Sequence, residues 1–426
     1  MDDGAIDRQM ALAREWDGLL QKVRELDGFA DFLHPPRLET LLPAAKGGPV
    51  VVINVSRGRC DALIVRTSGV TLRELPDLSL TEVGARTEHY LSVLQDAEQA
   101  DIRAAEAATP VHGESPRTAA RRQRDADQEV NAAYKRVDTM LTALQQWMWD
   151  TITEPVLDKL GFGPPVGPIS SWPRVWWCPT GPLALLPLHT AGHHNEHGSG
   201  RTVLDRAVSS YTPTLRALLE ARRPGAADRG LDRLLVVDVP DLPGLRPIDN
   251  AATRAALIDA FPEHRRTVLG SADATPSAVL NELPVHRWVH FSCHGDQDLA
   301  DPSRGGLRLR DGVLTVESVA TQRFHGDFAG LSACKTAVGG VDLPDEAITL
   351  AAALHYTGYR HVVAALWAVD NSASTEVFTS LYRAIAANGR IEPDRAPSVL
   401  HEILRRMRNR NPDWPHRWTP FAHTGP

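Results

Sequence analysis

Two side chains capable of nucleophilic and acid–base chemistry follow two strand-like segments in the second half of the sequence. His294 follows the apolar residues 289–291, and Cys334 follows residues 328–333. The two are 334 − 294 = 40 positions apart, enough for a connecting element and a return to a parallel neighbour. Open α/β sheets place their ligands at the carboxyl ends of the strands. The spacing therefore predicts a Cys–His pair, in which the imidazole generates the nucleophilic thiolate.

The composition limits the classes of protein to consider. The chain has 426 residues, 42% apolar and 23% charged, typical of a folded protein with more than one domain. A formal charge of −7 argues against a general nucleic-acid binder. No apolar run approaches the roughly 20 residues of a membrane span, and no signal peptide is visible. The four cysteines are few and scattered, so we expect a cytoplasmic protein with free thiols.

The elements that must position the pair alternate between strand and helix from residue 231 onward. Alternation of this kind indicates a mostly parallel sheet covered by helices on both faces, an α/β fold. The predicted strands are 234–239, 266–269, 289–291, 328–333 and 362–366, and the predicted helices are 251–261, 275–283, 345–358, 374–388 and 396–408.

The first half of the chain has a different pattern of predicted strands and helices. Residues 5–34 have helical periodicity, and they either pack on the following domain or dock to a helical-repeat array. Residues 50–65 predict a β-hairpin, residues 81–105 and 118–160 two helices, and residues 174–179 a buried strand.

A group of histidines follows this strand. His189, His193, His194 and His197 are close in sequence, but no second ligand cluster accompanies them, so we predict a polar surface loop rather than a metal site. His189 is the member that we expect to tuck against the sheet. No glycine-rich phosphate loop follows a predicted strand, so a nucleotide-binding domain is not favoured.

Six segments from about residue 231 to the end resemble the CHAT domain, a caspase-like cysteine peptidase domain related to separase. They occur in the family's order and spacing, at residues 272–275, 290–295, 306–309, 331–336, 366–370 and 418–421. The resemblance implies an N-terminal helical segment (1–46), an inactive caspase-like first half (47–230) and a catalytic caspase-like half (231–426).

The resemblance also implies roles for individual residues. It makes His294 rather than His290 the catalytic histidine, and Cys334 the nucleophile. Separases place an acid for a substrate arginine just after a Trp-x-Val segment. Asp370 and Asn371 occupy that neighbourhood here, and Asn371 stands where the acid is expected, which does not favour arginine specificity.

The expected reaction is peptide-bond hydrolysis through a thioester. The backbone N–H groups of Gly295 and Cys334 are the candidates for the oxyanion site. Asp296 either contacts substrate or caps a turn, and Trp367 lies either in the pocket wall or in the core. Cys293 should face the core, opposite His294.

We therefore expect a cysteine endopeptidase that acts on a protein substrate and needs no metal or other cofactor. The N-terminal helices are where a regulatory protein partner could bind. The alternative from a different class is a non-catalytic, caspase-like scaffold that mediates protein–protein interaction. Thiol reactivity that depends on the histidine separates the two.

Overall fold

The computed structural model describes residues 3–26, 32–33, 36–196, 198–223, 232–242, 247–296, 301–332, 350–367, 369 and 371–426. Cys334 and Asp370 lie outside these residues, as does His197. The described strands are β1 Val50–Asn54, β2 Asp61–Arg66, β3 Gly69–Glu74, β4 Arg174–Pro179, β5 Val208–Tyr211, β6 Leu234–Asp238, β7 Arg266–Gly270, β8 Trp288–Ser292, β9 His294–Asp296, β10 Gly306–Leu309, β11 Gly312–Thr315, β12 Phe328–Ser332, β13 His361–Ala365, β14 Ala386–Ala387, β15 Arg390–Ile391 and β16 Phe421–Thr424.

Helices cover this sheet and connect its strands. They are α1 Asp3–Arg24, α2 Leu38–Leu41, α3 Leu80–Ala108, α4 Pro116–Met148, α5 Glu154–Leu160, α6 Leu215–Ala221, α7 Ala251–Ala260, α8 Pro276–Glu282, α9 Val316–Ala320, α10 Leu350–Thr357, α11 Asn371–Ile385 and α12 Ala396–Arg410. None of the helices in the described part of the chain has the length and apolar composition needed to span a bilayer.

The central sheet contains eleven of these strands, in the order β3-β2-β1-β4-β5-β16-β13-β12-β8-β6-β7. Its described neighbours are mostly parallel, and the antiparallel pairs are β1–β2, β2–β3 and β13–β16. The α/β fold class with a mostly parallel sheet flanked by helices is therefore confirmed. Apolar cores lie on both faces, as expected of a sheet covered on both sides.

β16 joins two groups of parallel strands that run in opposite directions. It is parallel to β5 but antiparallel to β13. The carboxyl ends of β6, β8, β12 and β13 consequently lie at one edge of the sheet, and those of β1, β4 and β5 lie at the opposite edge. The carboxyl ends of β8 and β12 therefore lie next to each other at the same edge.

α3 and α4 form a long helical hairpin. Ser79 caps α3 by accepting a hydrogen bond from the Glu82 N–H, and Ser115 caps α4 by accepting from the Thr118 N–H. The helix predicted for residues 118–160 is interrupted, since α4 ends at Met148 and a π-helical turn precedes α5. Pro155 explains the break, because its ring and missing N–H cannot continue an α-helix.

Two further predictions differ from the structure. α1 ends at Arg24 rather than at residue 34, and its Leu12 and Trp16 are 60% and 56% exposed, so it does not pack tightly on the rest of the chain. The histidine-rich segment is not simply a surface loop, since His194 is buried. His189 is buried too, as expected for the member predicted to tuck against the sheet. Each has a hydrogen-bonding partner: the His189 ring approaches the Tyr211 hydroxyl (3.0 Å), and the His194 ring approaches the Thr190 carbonyl (2.7 Å).

Candidate active site

His294 lies just beyond the carboxyl end of β8, at the start of a separate short strand. β8 ends at Ser292, Cys293 is buried, and His294 opens β9, which pairs antiparallel with β10. The sequence predicted His294 at the end of the strand that contains residues 289–291. The bend at Cys293 instead moves the histidine into a three-stranded sheet, β11-β10-β9, beside the main sheet. The His294 side chain is half-buried.

A groove of about 1250 Å³ opens beside His294 and Gly295. One wall comes from the second half of the chain and the other from one face of the α3/α4 hairpin. Lining residues from the second half include Arg308, Val369, Asn371, Trp414 and His416, and those from the hairpin include Ile102, Val130, Tyr134, Asp138 and Thr142. A groove of this volume exceeds the space that a single side chain needs.

The strands that lead to the two predicted catalytic positions are direct neighbours. β8 and β12 are parallel, and Ser292 is the Cα partner of Ser332. His294 is two residues beyond Ser292, and Cys334 is two residues beyond Ser332. The position of Cys334 itself lies outside the described residues.

The other predicted site residues fall in different places. Asn371 begins α11 and lines the groove, while its side-chain amide donates to the Pro247 carbonyl (3.1 Å). Trp367 is only 4% exposed and packs edge-on against Tyr90 at 5.7 Å, so of its two predicted positions the burial favours the core. The backbone of Asp296 belongs to β9.

His290 has a different environment from His294. It is fully buried between β8 and α11, where its Nδ1 lies 2.9 Å from the Tyr382 hydroxyl. Burial lowers the pKa of His290 to about 3, since the imidazolium form would be deprived of water. A histidine kept neutral inside the core cannot reach a substrate, so the groove-lining His294 is the better candidate for acid–base chemistry.

Sequence reasoning missed a second imidazole in the groove. His416 Nδ1 lies 2.7 Å from Asp138 Oδ1, and the backbone N–H of His416 donates to the same oxygen (3.1 Å). The Tyr134 ring packs against the His416 ring, with 4.9 Å between ring centroids. The Tyr134 hydroxyl donates a hydrogen bond to Asp101 (2.7 Å). Position near the C-terminal 418–421 segment was the one signal that could have identified His416, whereas Asp138 lies in a charged helix without any motif.

Arg308 was missed as well. It is exposed, lines the groove and is the Cα partner of His294 across the β9–β10 pair. The sequence did point to this residue, because Arg308 lies in the 306–309 segment, one of the six that carry the family resemblance. The pairing places a guanidinium-bearing position directly beside the histidine on the same small sheet.

Comparisons with known proteins agree with this architecture. No curated protein matches the chain. Two crystal structures of the Saccharomyces cerevisiae separase–securin complex, at 2.6 and 3.0 Å resolution, match in fold with TM-scores of 0.55 and 0.53 and 10% and 11% identity. Each match covers 91% of this chain but only 31% or 30% of the separase chain. At this identity the likeness shows the fold alone, which is the caspase-like fold of separase.

The chain spans about a third of the length of these separase chains, so it corresponds to only part of them. A family model described as "CHAT domain" matches residues 142–426. This match covers the end of α4, the central sheet from β4 onward and the groove-lining residues of the second half. The chain belongs to the CHAT domain family.

Proposed function

We propose that this chain is a cysteine endopeptidase in which Cys334 and His294 form the catalytic pair. The observation that carries the proposal is the pairing of Ser292 with Ser332 at the ends of two parallel strands, with His294 beside an open groove. Parallel neighbours are about 4.8 Å apart, and two residues of chain extend at most about 7 Å. We therefore propose that both chemical residues act near this edge of the sheet.

The reaction follows from these two side chains. The thiol proton of Cys334 passes to His294, and the thiolate forms a C–S bond with the scissile carbonyl carbon. The imidazolium then protonates the leaving amine as the C–N bond breaks. His294 next takes a proton from water, which hydrolyses the thioester and regenerates the thiol. The backbone N–H groups of Gly295 and Cys334 are the proposed donors to the oxyanion.

The shape of the groove favours an endopeptidase. Its described lining comes from α3 and α4 on one side and from the second half of the chain, including β9 and β10, on the other. An extended segment of a protein substrate can therefore lie on both sides of the scissile bond. Mixed polar and apolar lining is what such a segment needs, because both backbone and side chains must be accommodated.

We extend the proposal to regulation by a protein partner. Both separase structures are complexes with securin, and α1 presents exposed Met10, Leu12, Trp16 and Leu19 side chains. Exposed apolar side chains in such number are typical of a surface that a partner covers. The isolated chain should then cleave slowly, and a kcat/KM above about 10⁴ M⁻¹s⁻¹ without a partner would overturn this part of the proposal.

The proposed activity is tested by digesting a peptide library with the intact chain and with Cys334→Ala. Cleavage by the intact chain and none by the variant is the expected result. Equal cleavage by both would refute Cys334 as the nucleophile. A His294-dependent reaction of Cys334 with iodoacetamide, absent for a non-catalytic scaffold, distinguishes the enzyme from the alternative function.

A further inference from the structure

The ends of β6, β8 and β12 carry a set of polar side chains that the proposed mechanism does not use. Asp238, Ser292 and Ser332 are the last residues of the three strands and lie in one register across the sheet. Asp238 and Ser292 are buried, at 3% and 2% exposure. Polar groups buried at these positions require partners, since an unsatisfied buried group costs about 1–3 kcal/mol.

Two helices supply those partners. Asn250, just before α7, donates through one amide nitrogen to Asp238 Oδ1 (2.5 Å) and Ser292 Oγ (2.6 Å). The Ser332 hydroxyl shares a hydrogen bond with the Ser374 hydroxyl of α11 (2.7 Å). Each strand that leads to a proposed catalytic residue is therefore tied at its final position to a different helix.

The two helices are also tied to each other. Thr253 of α7 and Thr379 of α11 are buried and share a hydrogen bond of 3.0 Å. The Thr375 hydroxyl of α11 donates to the Asp249 carbonyl just before α7 (2.6 Å). The connection from Ser292 through α7 and α11 to Ser332 is thus continuous on one face of the sheet.

We propose that Asn250, Ser292, Ser332 and Ser374, here called the strand-end clamp, are positioning residues for the Cys–His pair. Within the described residues the pairing of β8 with β12 extends to Ser292 and Ser332. β8 then bends at Cys293, so this pairing does not by itself set the direction of the chain toward His294. The clamp holds both strands at these two residues, which stand two positions before His294 and Cys334 in the sequence. This inference rests on the proposed function of those two residues.

Misplacement of a catalytic group by about 1 Å can lower the rate about 100-fold. Loss of one clamp hydrogen bond should therefore affect turnover far more than binding. Ser292→Ala and Ser332→Ala should lower kcat about 10- to 100-fold with KM nearly unchanged. Ser374→Ala removes the Ser332 bond from the helix side and should reproduce the Ser332→Ala result.

The experiment measures kcat, KM and the pH profile of Cys334 alkylation by iodoacetamide in these variants. Ser209→Ala is the matched control. Ser209 lies on β5, in the other group of parallel strands, and its hydroxyl accepts a hydrogen bond from Trp177 Nε1 (3.0 Å). Cys334→Ala supplies the background from other thiols. Circular dichroism confirms that each variant is folded.

The clamp is supported if its variants have a lower kcat than the parent chain and if their pH profile of Cys334 alkylation shifts toward that of His294→Gln. Clamp variants that match Ser209→Ala in both measurements overturn the clamp while leaving the catalytic pair intact. An alkylation profile of the parent chain that does not depend on His294 instead refutes the proposed function, and the clamp with it. The two failures are therefore distinguishable.

Discussion

His416 and Asp138 join the two walls of the groove, with His416 Nδ1 2.7 Å from Asp138 Oδ1. Asp138 belongs to the helical hairpin of the first half, and His416 belongs to the segment before the final strand. Both side chains are only 15% exposed. The first half of the chain therefore contributes directly to the surface next to His294, and substrate binding should depend on it.

Asp138→Ala should raise KM for a peptide substrate with little change in kcat, because the groove wall changes but the catalytic pair does not. Loss of two hydrogen bonds to His416 should also lower the free energy of unfolding by about 1–3 kcal/mol. Steady-state kinetics and urea unfolding measure the two effects.

Asp125→Ala is the matched control for this substitution. Asp125 lies on the same helix, is 67% exposed and lies 3.8 Å from Arg121. Exposed pairs of this kind contribute about 0–1 kcal/mol, so its KM and stability should match those of the parent chain. Equal KM values for both variants would contradict a role for the hairpin wall in binding.

Gly330→Ala should destabilise the fold. Gly330 lies in the middle of β12, and a Cβ there would collide with the Tyr382 hydroxyl and crowd His290 Nδ1. Overpacking of a core typically costs about 1–3 kcal/mol. The urea midpoint should fall, and the His290–Tyr382 hydrogen bond should lengthen in a crystal structure.

Gly84→Ala provides the contrast. Gly84 is inside α3 and a Cβ there meets nothing within 4 Å. Alanine is about 1 kcal/mol better than glycine inside a helix, so this variant should be slightly more stable than the parent chain. A Gly330→Ala variant as stable as Gly84→Ala would show that the β12–α11 interface is looser than the structure indicates.

The positions of many elements follow from sequence pattern, as β4 shows. Its predicted bounds, residues 174–179, are those of the structure, because a run of buried aromatic and β-branched residues ends at a turn. Thr275 likewise caps α8 by accepting a hydrogen bond from the Ala278 N–H, at the residue where the predicted helix 275–283 begins. Local chemistry was sufficient in these cases.

Other features depend on distant parts of the chain and could not be predicted. β16 pairs with both β13 and β5, and its short sequence with His423 gives no strong strand signal. His194 is buried because Trp418, far away in sequence, packs against its ring at 4.7 Å. The second wall of the groove was missed for the same reason, since the hairpin meets the site only in the folded chain.

The chain should lose stability in acid. Burial lowers the pKa of His401 and His290 to about 3 and that of His189 and His355 to about 4, below the usual 6.5. A histidine with a lowered folded-state pKa is protonated more readily in the unfolded chain. Its contribution to stability is therefore present above pH 6.5 and is lost as the pH falls toward the folded-state pKa.

Urea unfolding at pH 7.5 and at pH 5 measures this loss, which should be roughly 2 kcal/mol for each such histidine. His290→Asn should make stability less dependent on pH by about that amount. A parent chain equally stable at both pH values would contradict the neutral state of the buried histidines.

The most direct test of the central claim is cross-linking with 1,3-dibromoacetone, a reagent that alkylates a thiol and then an imidazole a few ångströms away. Peptide mass spectrometry should find Cys334 bridged to His294 in the intact chain and only singly alkylated Cys334 in His294→Gln. A bridge to a different histidine, such as His416, or single alkylation in the intact chain would contradict the proposed catalytic pair.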